Sequence, residues 1–481
     1  MFNSLHEECG VFGIFDKKTS NVAHATYLAL FALQHRGQES CGIAVNDDGV
    51  FSHYKANGLV PDVFSAEKLE SLGYGNAAIG HVRYSTTGGM GIGNIQPLVI
   101  RHIKGNLAMC HNGNLVNAES IRKNIELSGG IFQGTSDTEA IAYAIVSNRL
   151  KSKTTEEAIE KTMHTIKGAY SCIVMTATKM IAFRDPHGFR PLCIGKAKSG
   201  AYCVASESCA LDTLAADFIR DIAPGEIVVF SEKGMDSIQT HITEKDKTSL
   251  CVFEYIYFAR PDSCIDGVSV QRARMRAGAY LAKEHSVSAD IVIGVPDSGI
   301  DAALGYARTS GIPYGIGFIK NRYIGRSFIQ PSQSEREDAV KLKLNVVKDN
   351  IKGKRVVMID DSIVRGTTCA RIVELLRESG AKEVHMRVSA PPFKHPCYFG
   401  TDIDSEDKLI ACRYKSVGEI AKVIGTDTLG YLSVEALHKI AEEANVSFCD
   451  GCFTGEYPIA VPKENSKNKF DQRMGYYQTL D

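Results

Sequence analysis

Residues Arg355 to Thr368 read RVVMIDDSIVRGTT. Arg355 to Ile359 has the apolar, β-branched texture of a buried strand, Asp360 and Asp361 close it, and a small, hydroxyl-rich loop leads into a helix predicted over Thr368 to Ser379 and stopped by Gly380. A helix N-terminus with free backbone N–H groups, aided by the hydroxyls of Ser362, Thr367 and Thr368, suits a phosphate, and Gly366 allows close backbone approach. The acid pair cannot face that phosphate, because like charges repel. It suits a divalent cation or sugar hydroxyls, so a ligand carrying both a ribose and a terminal phosphate satisfies both halves. An acidic helix cap with an ordinary turn would need neither the strand nor the hydroxyl loop.

Working outward, the order from about Gln271 is helix, buried strand (Asp290 to Val295), helix (Ile300 to Ser310), then the strand and helix above. Such alternation predicts a parallel α/β sheet. Val295-Pro-Asp-Ser-Gly299 is a second strand-to-helix loop, although its composition alone is that of a common turn. Lys320 to Arg336 gathers basic residues among Gly, Pro and Ser and reads as a mobile lid or a solvated basic loop. A helix is expected near Val434 to Ala444.

The preceding half has a different texture. From Cys9 to about Phe230, short apolar runs such as Cys9 to Phe15 and Ile173 to Met175 are closed by Gly and Asn and interleaved with helical segments such as Ala23 to Gln34. This predicts antiparallel sheet with helices packed on it. Ser231 to Ser249 is polar and lacks an apolar period, so it is a connector or an edge excursion, and the domain boundary is expected there. His81-Val-Arg-Tyr-Ser-Thr86 alternates as a strand would, placing His81, Arg83 and Ser85 on one face, with Arg83 suited to clamp a carboxylate. His111-Asn-Gly-Asn114 has the composition of a hairpin turn, and Gly134 to Glu139 that of a capped helix start.

The chain has 481 residues, 44% of them hydrophobic and 23% charged, so it is long enough for two or three domains and apolar enough to bury ordinary cores. Lys and Arg total 55 against 56 Asp and Glu, and the resulting net charge of -1 leaves no global footprint for nucleic acid or an anionic membrane. No apolar run reaches the roughly 18 residues of a membrane helix, and a cytoplasmic location is expected. The 14 cysteines stand without secretory context, which favours a catalytic thiol or a metal site over disulfides. Cys449-Asp-Gly-Cys452 is a close pair open to zinc, a redox dithiol or simple packing.

The Arg355–Thr368 segment closely resembles the phosphoribosyl-pyrophosphate (PRPP) loop of type I phosphoribosyltransferases. That resemblance implies that Asp360, Asp361, Ser362, Arg365, Gly366, Thr367 and Thr368 bind PRPP, with Asp297 and Ser298 in the pyrophosphate loop. It further implies Mg²⁺ held at Ser298, Asp360 and Asp361, and Lys320, Arg322 and Arg326 of the lid neutralising the leaving pyrophosphate. The first half resembles the class II glutamine amidotransferases, N-terminal nucleophile hydrolases whose mature chain starts at a Cys. Here that implies removal of residues 1–8 as a propeptide, Cys9 as nucleophile, Asn112 and the Gly113 N–H as oxyanion hole, and Arg83 and Asp137 gripping glutamine. A freed α-amino group, with an ordinary pKa of about 7.7–8.0, can serve as base for its own thiol; an amide cannot. The Leu33-Gln-His-Arg-Gly-Gln-Glu-Ser40 run also matches.

Together the halves resemble the bacterial iron–sulfur type of the glutamine PRPP amidotransferase family, which opens purine synthesis. The fold implied is a four-layer α+β sandwich of the N-terminal nucleophile type over 9–235, then a type I phosphoribosyltransferase α/β domain over 250–445 and a tail over 446–481. The family implies a [4Fe–4S] cluster on Cys251, Cys397, Cys449 and Cys452, with zinc as the rival, and Tyr257 in the segment coupling the two sites to bound glutamine. It also implies purine nucleotides as feedback inhibitors and a homotetramer. A different glutamine-dependent synthase would lack the PRPP loop, and a non-enzymatic PRPP sensor would need no nucleophile.

Overall fold

The computed structural model describes residues 9–84, 91–239, 248–321, 344–403, 405–444 and 446–462. The apolar run after Cys9 is strand β1, Gly10–Ser20, and its first part is buried on both faces. Alternation explains this: Val11 and Phe15 enter one core while Phe12 and Ile14 enter another. The strand is central in a seven-stranded antiparallel sheet with β2 (Ser40–Asp47), β3 (Val50–Asn57), β4 (Gly75–Arg83), β9 (Cys193–Lys196), β10 (Tyr202–Ala205) and β11 (Asp217–Asp221), in the order β11-β9-β10-β1-β4-β2-β3. A six-stranded sheet, order β13-β12-β8-β7-β6-β5, comprises β5 (Leu98–His102), β6 (Gly105–Leu115), β7 (Gly168–Thr176), β8 (Met180–Arg184), β12 (Ile227–Ser231) and β13 (Gly234–Ile238).

Between the sheets, Val11, Phe15 and Ile79 pack with Ala108, Ile173, Met175 and Phe230. Helix α1, Val22–Ala32, covers the outer face of the first sheet, where Leu30 and Leu33 are fully buried with Phe12, Ile43 and Val82. Each such side chain contributes on the order of 2 kcal/mol by leaving water. Helices α2 (Asp137–Leu150) and α3 (Thr155–Met163) cover the second sheet through Ile141, Ile145 and Ile159. The result is the four-layer sandwich expected.

The other unit is built on a parallel sheet of β14 (Ile291–Gly294), β15 (Arg355–Asp360), β16 (Glu383–Val388) and β17 (Thr428–Tyr431), paired in that order. Helix α4 (Val270–Glu284) precedes β14, α5 (Gly299–Ser310) follows it, and α6 (Thr367–Glu378) follows β15. Cys369, Ile372, Val373 and Leu376 recur at helical spacing and pin α6 to the core under Val356 and Met358.

Several expectations change. His111 to Asn114 is no hairpin turn; it lies inside β6, paired residue for residue with Cys172 to Ala169, so long-range pairing overrides the local Asn-Gly signal. Within Ser231–Ser249, Gly234–Ile238 is a strand at the edge of the sheet, bonded on one side only among the described residues, which accounts for its polarity. The helix expected to reach Ala444 ends at Lys439. The chain divides at Cys251/Val252, and three crossings follow, at Cys397, Ser405 and Tyr457. Cys397–Asp404 belongs with the first unit, whereas Ser405–Glu456 belongs with the second, so the close cysteine pair is part of the phosphoribosyltransferase-like unit rather than of a separate tail. Residues 1–8, Ser85, Arg322 and Arg326 lie outside the described residues.

Candidate functional site

In the first unit, Cys9 stands at the entry to β1, partly buried, its Sγ donating to the Tyr84 carbonyl at 3.4 Å. Its own carbonyl accepts Arg36 Nε at 3.0 Å. Arg36 is fully buried and its Nη1 lies 2.6 Å from Glu207 Oε1, an oxygen that also faces His35 Nε2 at 2.8 Å. One strand away, β4 ends at Arg83, which is buried and pairs with Ser40 of β2.

The second sheet brings β6 to the same region. Burial pushes the Cys110 thiol well above its ordinary pKa, and Cys9 is among the groups whose charge it senses. Two residues on, Asn112 is fully buried, and neither its Oδ1 nor its Nδ2 has a hydrogen-bond partner among the described residues. A buried amide left unsatisfied at both ends costs free energy unless a ligand supplies the partners. Gly113 has φ +141°, and a Cβ there would stand 2.1 Å from the Ala169 carbonyl oxygen, so only glycine allows β6 to lie this close to β7.

Asp137 opens α2 and its Oδ2 accepts the Leu115 N–H at 2.9 Å, while His111 Nδ1 is 3.6 Å from its other oxygen. Burial works against the charge on Asp137, but His111 and the backbone N–H groups of Leu115 and Thr138 outweigh it and hold the carboxyl below its usual range. The loop before α2 is fixed by Asn94, whose Oδ1 accepts both Thr135 and Ser136 N–H groups, and by Gln96, which bridges His111 N–H and the Thr138 hydroxyl. His81 Nε2 faces the His111 carbonyl, and burial followed by the charge of Arg83 lowers the imidazole pKa to about 3, so it is neutral at any physiological pH.

In the second unit, the predicted phosphate loop follows β15 as expected. Ser298 and Ser362 each donate a hydroxyl to Asp361, one to each carboxylate oxygen, and the Asp361 N–H donates to Asp360 Oδ1 at 3.0 Å. Burial, then the neighbouring Asp361 charge, pushes Asp360 well above the carboxylate range; burial also raises Asp361, against its two hydroxyl donors and Arg274. Two adjacent acids short of positive charge are a donor set that fits a divalent cation. Gly366, at φ +83°, caps α6, so Thr367 and Thr368 present the first-turn N–H groups. Asp297 is paired with Lys320 at 2.6 Å, and the Arg365 carbonyl accepts Arg413.

Tyr257 belongs to the unit that starts at Val252, where its carbonyl accepts Arg274 Nη2 at 2.9 Å. Of the cluster candidates, Cys251 and Cys397 lie in the first unit, both buried, beside the stacked Phe189 and Phe399 rings: Cys251 N–H donates to the Phe189 carbonyl, and Phe399 N–H points at Cys397 Sγ. Cys449 and Cys452 lie in the second, half-buried. Four thiols are the right donor chemistry for an iron–sulfur centre. Sequence reasoning missed Glu207 and Asn94, whose roles depend on partners far away in the chain.

A family model for a glutamine amidotransferase domain matches residues 81–213, and one for a phosphoribosyl transferase domain matches 269–410. The chain is 49% identical over 466 residues to the amidophosphoribosyltransferase of Methanocaldococcus jannaschii, covering 94% of this chain and 98% of that protein. It is 48% identical over 462 residues to that of Bacillus subtilis, covering 95% of each. The solved structure of the B. subtilis glutamine PRPP amidotransferase complexed with ADP and GMP superposes with a TM-score of 0.87 at 48% identity, covering 95% of this chain and 99% of that one. A second, the allosteric regulatory enzyme of purine biosynthesis, superposes at 0.89 with 47% identity, covering 97% and 99%. A glutamine-hydrolysing sandwich and a PRPP-type loop on one chain, kept together at this identity over nearly its whole length, make the protein a member of the amidophosphoribosyltransferase family, glutamine-dependent glycosyltransferases of the first step of purine biosynthesis.

Proposed function

We propose that Cys9 is the nucleophile and that Asn112 with the Gly113 N–H stabilises the oxyanion it creates. The observation that carries this is the fully buried Asn112 amide with neither polar atom satisfied, on a strand whose Cys110 senses Cys9. The thiol, deprotonated by the α-amino group released when residues 1–8 are removed, attacks the glutamine carboxamide carbon. The tetrahedral intermediate collapses to a thioester and ammonia, and water then releases glutamate. Arg83 clamps the substrate carboxylate, and Asp137, held ionised, takes its ammonium group. Tyr257 joins this site on the coupling segment.

Ammonia then attacks C1 of PRPP and displaces pyrophosphate, giving 5-phosphoribosylamine. The hydroxyls of Ser362, Thr367 and Thr368, with the α6 N-terminus and Arg365, hold the 5-phosphate; Asp297, Ser298, Lys320 and Arg322 hold the pyrophosphate. Mg²⁺ at Ser298, Asp360 and Asp361 would supply charge neutralisation for the departing group. Cys251, Cys397, Cys449 and Cys452 would hold a [4Fe–4S] cluster of structural role. Purine nucleotides inhibit the enzyme, supported by the ADP and GMP in the B. subtilis relative, and a homotetramer is the assembly. The test is Cys9→Ala: glutamine-dependent phosphoribosylamine formation disappears while the ammonia-dependent route persists, and equal loss of both overturns the assignment.

A further inference from the structure

We infer that Glu207 is a positioning residue for the nucleophile, acting through Arg36; the inference rests on Cys9 as the attacking thiol. Glu207 is 1% exposed and Arg36 is fully buried, so both charges have left water. As a purely structural device such a pair is a poor one, because desolvation offsets most of the attraction and apolar residues would do as well. Its geometry points elsewhere. The guanidinium is divided: Nη1 binds Glu207 Oε1 at 2.6 Å, and Nε reaches the Cys9 carbonyl at 3.0 Å. Arg36 therefore spends one donor on the carboxylate and aims another at the backbone of the residue that must attack.

The chain around Glu207 holds the same strand a second time. Ser206 Oγ accepts the Val11 N–H at 2.9 Å, and the Ser206 N–H donates to the Val11 carbonyl at 3.0 Å. The corner after β10 thus fixes Val11 directly and Cys9 through Glu207 and Arg36. Two anchors, two residues apart, set how the start of β1 is rotated, and hence where the Cys9 thiol and α-nitrogen point. His35 Nε2 at 2.8 Å and the Cys209 thiol at 3.7 Å also engage the carboxylate, so Glu207 cannot swing away from Arg36 without losing both. Placement of this kind matters to rate, since a shift of about 1 Å in a reacting group can cost on the order of 10²-fold.

The test is Glu207→Gln in the full-length enzyme, which keeps the side-chain shape and removes the charge that orients Arg36. We expect kcat with glutamine to fall about 10- to 100-fold while the KM for glutamine stays within about twofold. Alkylation of Cys9 by iodoacetamide, followed on the peptide that carries it, should slow in parallel, and ammonia-dependent synthesis should be unchanged. Unaltered kcat and alkylation, or parallel loss of both nitrogen routes, overturns the inference. Should Glu207→Gln not fold, Arg36→Lys keeps the charge opposite Glu207 and removes the Nε donor; the same split is expected, and its absence is equally decisive. Cys9→Ala separates the two levels: if it retains glutamine-dependent activity the nucleophile assignment itself fails, whereas an inactive Cys9→Ala beside a normal Glu207→Gln removes only the role of Glu207.

Discussion

Asp137 at the head of helix α2 accepts the backbone N–H of Leu115 on strand β6, 2.9 Å away, and so locks the helix to the strand that carries Asn112 and Gly113. The bond gives Asp137 a stability role beside its proposed grip on the substrate ammonium. Its folded-state pKa lies below the ordinary 3.8, so its contribution is complete above that value and is lost as pH falls through the lower folded-state pKa. Asp137→Asn should therefore raise the KM for glutamine at least about tenfold, from loss of a charge-assisted contact. It should also flatten the acid limb of the stability curve below about pH 4, read as Tm against pH, and leave ammonia-dependent turnover alone.

Asn112 sets activity against stability. Because neither end of its amide is satisfied, Asn112→Leu, close in size and free of polar atoms, should not lower Tm and is expected to raise it. The same change should reduce glutamine-dependent kcat by about 10²- to 10³-fold, the usual cost of an oxyanion donor. Thermal melts and steady-state kinetics on one preparation test both halves. A lower Tm would mean that the amide is partnered within the fold.

Asp360 and Asp361 carry the opposite sign from Asp137. Their folded-state pKa values are raised, so the native state binds more protons than the unfolded chain above the ordinary 3.8, and stability declines as pH rises toward neutrality. The double variant Asp360→Asn, Asp361→Asn should melt higher than the wild type at pH 7–8 without divalent cation. Mg²⁺ should raise the wild-type Tm and leave the variant unmoved. PRPP turnover should vanish, leaving at most basal glutaminase; undiminished phosphoribosylamine formation would refute the acid-pair assignment.

For the four cysteines, anaerobic purification followed by iron, acid-labile sulfide and zinc analysis is decisive. About four iron and four sulfide per chain are expected for the cubane, and Cys397→Ser should lower both. Stoichiometric zinc without sulfide would replace the cluster with a Cys₄ zinc site.

What the sequence disclosed follows from how local each signal is. The strand, acid pair and hydroxyl loop of Arg355–Thr368 are contiguous, and the structure keeps them as one strand-to-helix corner. The double burial of Gly10 to Phe15 was legible because both alternating sets are apolar. His111–Asn114 misleads because Asn-Gly scores as a turn locally, while its partners on β7 lie more than fifty residues downstream. Glu207 was invisible for the same reason: it is 171 positions from Arg36, and nothing in its neighbourhood marks it as a buried charge. The domain boundary was close, but the crossing at Cys397 leaves no compositional trace.

That crossing dictates an order of manufacture. Asn114 donates to the Tyr398 carbonyl at 2.8 Å, Arg190 donates to the Phe399 carbonyl at 3.0 Å, and Phe189 stacks on the Phe399 ring with centroids 4.2 Å apart, all inside the glutamine-handling unit. A ribosome that has released everything up to Cys251 has still not delivered these partners, and the unit is finished only after most of the PRPP-binding sheet has been translated. A nascent or truncated chain is thus ill-equipped to liberate ammonia before it possesses the acceptor that consumes it.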